Sequence, residues 1–405
     1  MDRWQITNAT LVFPDRAENG GLLIDGNRIQ KILTGGEQLA DVLEVDLHGL
    51  FLYPGLINSH DTLLASYSPL AAPARPYSSW LAYDNALKSS VLFRERMLID
   101  TADLYLLGAY RNLLAGTTTV VDHIPEFVRR PFAGKLPVHL LEDFGIAHAV
   151  DHSSLGWGQG VQIEHEKAVR ENRPFLLHIA EGTDREARES LATLQALGAL
   201  SEHTVLLSGV GLSGEDLERI AKAGAHLVFC PVASQRLFGQ MPDVARALEL
   251  GISVSLGTDA AMTGSLNLLE ELRAARKSLP ALGAKDLYAM VTSSPARALR
   301  LPCGELKAGG RADLLVLQGK GDPYLNLCEA STANIFLVVA DGRPVFGDKN
   351  TASLADSAAV EKIEINGREK WITGSPQELL TRIEMATGKR PELPFLNLRT
   401  LEKIS

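Results

Sequence analysis

Between residues 50 and 304 the chain repeats one pattern, a short apolar run followed by a longer stretch of helical periodicity. The apolar runs are 50–60, 117–123, 146–152, 174–181, 204–210, 225–231 and 253–259. The helix-like stretches include 94–115, 160–172, 184–198, 213–223, 241–250, 266–279 and 285–300. Strands buried on both faces read as continuous apolar runs, and alternation with helices makes them parallel. Seven or eight such units over about 250 residues predict an α/β fold built on a (β/α)8, TIM-like barrel. Only about twenty residues separate His152 from Pro174, too few for a full βα unit. The fourth strand is therefore expected to be very short or missing.

The two ends of the chain read differently. Residues 3–13 alternate polar and apolar, 20–33 form a hairpin with Asp25-Gly26 at its turn, and 43–47 is a further strand. Strand patterns return at 312–317, 334–346 and 360–367. The first fifty residues have no core of their own, so both ends are expected to share one lobe. The division read from the chain is a composite β-sandwich lobe at 1–50 and 305–370, a barrel at 51–304, and a C-terminal helix and arm at 371–405.

Composition narrows the function. Hydrophobic residues make up 45% and charged residues 22%, globular values that exclude intrinsic disorder. The net charge of −9 is the wrong sign for a nucleic-acid face. Cys230, Cys303 and Cys328 form neither a disulfide framework nor a CxxC knuckle. The polar, charged start is unlike a secretory leader, and no apolar run reaches the ~18 residues of a membrane span. A cytoplasmic protein without nucleic-acid or membrane partners is expected, with a homodimer as the default assembly.

Barrel enzymes carry their chemistry at the C-terminal ends of their strands. The runs here end in His60, His123, His152, His178 with Glu181, Ser208, Pro231 and Asp259. A packed core would not require ionisable groups at so many ends. His60, His178 and Asp259 make a divalent-metal set of two imidazoles and one carboxylate. Glu181, three residues beyond His178, is placed to act as general base on a metal-activated water.

Several motifs carry a family resemblance. Pro54-Gly55-Leu56-Ile57-Asn58-Ser59-His60 resembles the first-strand motif of the amidohydrolase superfamily, and His178-Ile179-Ala180-Glu181 resembles the fifth-strand HxAE of its deaminase and chlorohydrolase branch. Cys230-Pro231 with Ala233-Ser234-Gln235 is similar to the CPxSN segment after strand seven, and Leu256-Gly257-Thr258-Asp259 to the last-strand aspartate motif. Gly304-Glu305-Leu306, Gly309 and Ala312-Asp313-Leu314 resemble the return to the small lobe. The resemblance implies one divalent metal (zinc foremost, iron or manganese as alternatives), Glu181 and Asp259 as catalytic residues, and a small-molecule substrate with a non-peptide C–N bond in an amide, amidine or heterocyclic amine.

The chain also departs from that pattern. Thr62 stands where the first-strand His-x-His has its second metal-binding histidine, and Ser208 and Gly211 replace the histidines of strand six. Gln235 replaces the asparagine of CPxSN. The metal site is thus degraded, and absence of the metal stays open. His123 and His152 are reserve ligands, while Asp61 is disfavoured because neighbouring strand residues face opposite ways. Tyr77, Trp80 and Tyr83 either cap the pocket or simply pack. His48, His139, His148, His165, His203 and His226 read as structural or solvated. Bland readings exist for the main candidates too: a buried hydrogen-bonded His60, a His178–Glu181 ion pair, and a helix N-cap for Asp259. Three functions follow: a metal-dependent hydrolase, a non-catalytic small-molecule or partner-binding protein on the same scaffold, and a metal-free lyase or isomerase using Glu181 and Asp259.

Overall fold

The computed structural model describes residues 3–34, 37, 39–70, 76–151, 154–355 and 359–396. Eight parallel strands follow one another along the chain: β1 (Leu56–Asp61), β2 (Thr117–Asp122), β3 (His139–Leu140), β4 (Gly145–Ile146), β5 (Phe175–Ile179), β6 (Thr204–Ser208), β7 (His226–Phe229) and β8 (Val254–Leu256). They form two sheets, β1-β2-β3 and β4-β5-β6-β7-β8. Between the two sheets, the N–H groups of Thr258 and Asp259, just past β8, donate to His60 O at 2.8 and 3.0 Å.

The strands of the larger sheet are buried on both faces and mostly apolar, as continuous runs require, whereas β1 and β2 carry buried polar residues such as Asn58, Asp61 and Thr117. Phe175, Leu177 and Ile179 of β5 pack into one apolar cluster, while Leu176 joins Ile57, Val121, Val205, Leu207 and Val228 in another. Helices fill the outer layer because caps start and stop them. Gly214–Ala223, for example, begins at a reciprocal Ser213/Asp216 capping box and ends at Gly224, whose φ of +69° suits a residue without a β-carbon.

The fourth strand, expected to be very short or missing, is a two-residue strand, but the interval after His152 that suggested this holds the helix Val161–Arg170, and the shortage of chain falls earlier, at β3 and β4. Each strand has two residues, and residues 141–144 join them with no helix between. The run expected at 146–152 stops being a strand at Ile146, although His178 N still donates to His148 O at 2.9 Å.

The chain ends meet in one ten-stranded sheet. Phe51–Pro54 pairs antiparallel with Leu314–Leu317 and parallel with Arg3–Val12, and the sheet runs on to Arg368–Thr373. Trp4, Leu52, Leu314, Leu337 and Trp371 share its core. The first hairpin turns at Gly26-Asn27, one residue later than the sequence suggests, with Asp25 paired to Arg28 and Gly26 at φ +55°. The expected C-terminal helix is Pro376–Thr387. No helix among the described residues is long and apolar enough to cross a membrane.

Candidate metal centre

His60 is the penultimate residue of β1 and is buried. Its carbonyl receives the two amide N–H groups past β8, and this approach explains Gly257: a β-carbon there would stand 2.8 Å from His60 Cβ and 2.9 Å from its backbone N and O. The chain then turns through Asp259 at φ +60°, which sets Asp259 Oδ1 3.2 Å from His60 Nε2. The Thr263 hydroxyl donates to the other Asp259 oxygen.

His178 and Glu181 follow the same logic one sheet across. β5 ends at Ile179, and Ala180 adopts φ +48°. This sharp turn swings Glu181 back so that its Oε2 lies 2.7 Å from His178 Nδ1. Both side chains are buried.

Two further imidazoles complete the cluster. His123 follows β2 immediately, with ring centroids 5.8 Å from His60 and 5.1 Å from His178. The His60 and His178 centroids are 4.9 Å apart. One ring nitrogen from each of His60, His123 and His178 lies within 4.8 Å of the other two. His148 stands 5.4 Å from His178, with Trp80 at 4.5 Å and Trp157 at 4.7 Å. The sequence groups it with the structural histidines, and the structure stands it beside the centre, packed between the two tryptophans and outside the group of three. The ladder ends earlier than the sequence suggests, so His148, two residues past Ile146 and on its face, reaches the centre.

Burial sets the charge states. Desolvation, reinforced by His60, pushes His178 down to about 3, and desolvation with the neighbouring imidazoles holds His123 far below its ordinary range. Burial also pushes Glu181 well up, with Asp259 adding to the shift. Burial alone would raise Asp259 as well, but hydrogen bonds from His60 and Thr263 hold it low. Imidazoles held toward the neutral form, a carboxylate held low and a carboxyl whose proton affinity burial raises form a mixed set suited to a metal and a general base.

The other sequence candidates separate cleanly. Asp61 is a structural anion: Arg111 pairs with it, and Asn58 and Asn112 donate to it. Thr62 is an N-cap without a side-chain hydrogen bond. Ser208 is buried at φ +80°, and a β-carbon at Gly211 would come 2.6 Å from Gly182 O, so no side chain fits there. His152 lies outside the described residues. Tyr77 and Tyr83 pack together, whereas Trp80 reaches the centre. His165, His203 and His226 bond to Ser201, Arg173 O and Ser255, as structural histidines do. His139 lies near Asp313 and Asp341, with Arg311 already paired to Asp313, and His48 is exposed beside Asp46.

Sequence reading missed Glu271. Its buried carboxyl, pushed up to about 8 by desolvation, accepts the N–H groups of Val232 and Ser265 and so ties the chain after β7 to the chain after β8. A cavity of about 860 Å3 also opens beside β4, where no helix follows β3. Trp157 lines it, and its ring centroid is 5.4 Å from that of His123.

The residues present fit a divalent ion. The Nδ1 atoms of His60 and His123 are buried without a hydrogen-bond partner, and neutral imidazoles are the usual ligands of such ions. Parallel strands bearing an imidazole cluster with a buried acid define a class of α/β scaffolds able to hold a metal beside a general base. The model of the amidohydrolase family matches residues 152–369, and the chain belongs to that family. A 5-methylthioadenosine/S-adenosylhomocysteine deaminase of Pyrococcus furiosus is 28% identical over 370 residues, covering 77% of this chain and 85% of that one. A 5'-deoxyadenosine deaminase of Methanothermobacter thermautotrophicus is 24% identical, covering 88% and 98%. Among solved structures, the zinc complex of an atrazine chlorohydrolase from Arthrobacter aurescens superimposes with a TM-score of 0.73 at 19% identity, covering 95% of this chain and 100% of that one. A zinc-bound adenosine deaminase from Xanthomonas campestris gives 0.72 at 16%, covering 96% and 98%. Neighbours of this kind imply a TIM-barrel-like fold with an additional domain.

Proposed function

We propose that the protein is a metal-dependent hydrolase that removes an amine from a small molecule by cleaving a C–N bond other than a peptide bond, with an amino-substituted heterocycle as the foremost substrate. The observation that carries this reading is the convergence of His60 and His178 beside the buried Glu181 and the partly buried Asp259. Kinship with deaminases of adenosine derivatives supports the choice of bond.

A divalent ion, zinc foremost, held with the help of His60 and His178, would polarise the reacting group and acidify water. Glu181 takes a proton from the attacking water and hands it to the departing nitrogen, so that a C–O bond forms as the C–N bond breaks and ammonia or an amine leaves. Its burial suits it to hold that proton between the two steps. Asp259 keeps its negative charge and orients His60. Trp80 and Trp157 screen the centre from water. In this reading the eight parallel strands close as a barrel over 51–304, with Asp259 at the seam, and the two chain ends form the accessory lobe. The three buried free cysteines support the cytoplasm as its location.

The test is ammonia release from a panel of aminated purine nucleosides, pyrimidines and triazines by zinc-reconstituted protein. Release from at least one, abolished by a chelator and restored by zinc, is expected. Tight binding of such compounds without release would instead favour the binding-protein reading, which draws on Thr62 and Ser208.

A further inference from the structure

We infer that His123 is the third protein ligand of the metal, so that the donor set is three imidazoles from the ends of β1, β2 and β5, while Asp259 positions His60 from behind. The inference rests on the metal-centre reading above and adds the assignment of its third donor.

Four observations carry it. First, His123 joins His60 and His178 in the group whose donor nitrogens lie mutually within 4.8 Å, and Asp259 is not a member of that group. Second, Nδ1 of His123 is buried with no hydrogen-bond partner, while its Nε2 lies 3.3 Å from Leu176 O. A ring that donates Nε2–H to a backbone carbonyl has its lone pair on Nδ1, the form in which a histidine binds metal. Third, His60 repeats the arrangement, with Nε2 on Asp259 and Nδ1 unpartnered. Fourth, both oxygens of Asp259 are engaged, one by His60 and one by Thr263. A carboxylate that fixes an imidazole is the usual outer support of a metal ligand, whereas an orphaned buried nitrogen costs stability unless something binds it.

The loss at Thr62 is then a relocation. A donor leaves the strand position two residues past His60, and another appears on the neighbouring strand. Hydrogen bonds hold the two strand ends together, since His123 N donates to Asp61 O at 3.2 Å.

The experiment compares zinc affinity in full-length wild type, His123→Asn and Asp259→Asn, by competition with a chromophoric chelator, with thermal unfolding measured with and without zinc. Wild type is expected to hold about one zinc and to melt higher with it. His123→Asn should lose at least 100-fold in affinity and the zinc-dependent melting shift. Asp259→Asn should keep the shift and lose about 10–100-fold, as outer supports do. Circular dichroism checks that each variant folds, and His123→Gln substitutes if the asparagine variant does not. Zinc affinity unchanged in the folded His123 variant overturns the inference and leaves the hydrolase reading standing. An Asp259→Asn loss as complete as that of His123→Asn overturns it too. A wild type that takes up no divalent metal overturns both.

Discussion

The Nδ1 atom of His178 lies 2.7 Å from Oε2 of Glu181, across a turn in which Ala180 takes a left-handed conformation. The acid thereby stands beside an imidazole of the centre.

Glu181→Gln keeps the shape of the side chain and removes its proton-accepting oxygen. General base catalysis contributes about 10²–10⁴ in rate. A fall in kcat of that size is expected, with zinc stoichiometry unchanged and KM altered far less. Steady-state kinetics beside metal analysis checks it.

Gly257→Ala would force a β-carbon into the backbone and Cβ of His60. Overpacking of this kind costs about 1–3 kcal/mol. Because the strain falls on the β1–β8 junction that sets Asp259 against His60, zinc affinity should fall together with the melting temperature. Thermal unfolding and chelator competition measure both.

Arg111 and Asp61 form a fully buried ion pair behind the centre, extended by Asn58 and Asn112. Arg111→Met would strand the Asp61 charge, at a cost of about 3–5 kcal/mol. The double variant Arg111→Met/Asp61→Asn should recover part of the loss. Urea unfolding of the two variants and wild type tests the coupling.

His226 lies buried against Ser255, and desolvation lowers it to about 3, with Arg297 adding to the shift. Its folded value is below the unfolded one, near 6.5, so the unfolded chain binds the proton first. The contribution is complete above about pH 6.5 and is lost as pH falls toward 3, at up to ~1.4 kcal/mol per unit. His226→Asn should unfold with a shallower acid dependence between pH 6.5 and 4, seen in urea midpoints across that range.

Much of the centre was legible because its residues sit in local motifs. His60, His178, Glu181 and Asp259 each close an apolar run, and backbone turns at Ala180 and Asp259 present them. His148 was not legible, because a two-residue strand held by a few ladder bonds leaves almost no periodicity. The choice between His123 and Asp259 as third donor was hidden for another reason: it depends on which side-chain atoms are already satisfied. Strand alternation disfavours Asp61 as a ligand but leaves its burial unexplained, and Arg111, fifty residues away in sequence, supplies its partner. The shortage of chain was visible as a length, but its place at β3 and β4 depended on pairing with β2 and β5.

The most direct measurement is the metal content of untagged protein after zinc reconstitution and gel filtration, read with ammonia release from aminated heterocycles. The account predicts about one zinc per chain, release that disappears with chelator, and loss of both in His178→Ala. Protein that holds no zinc, iron or manganese, or release that persists unchanged in Glu181→Gln, would contradict it.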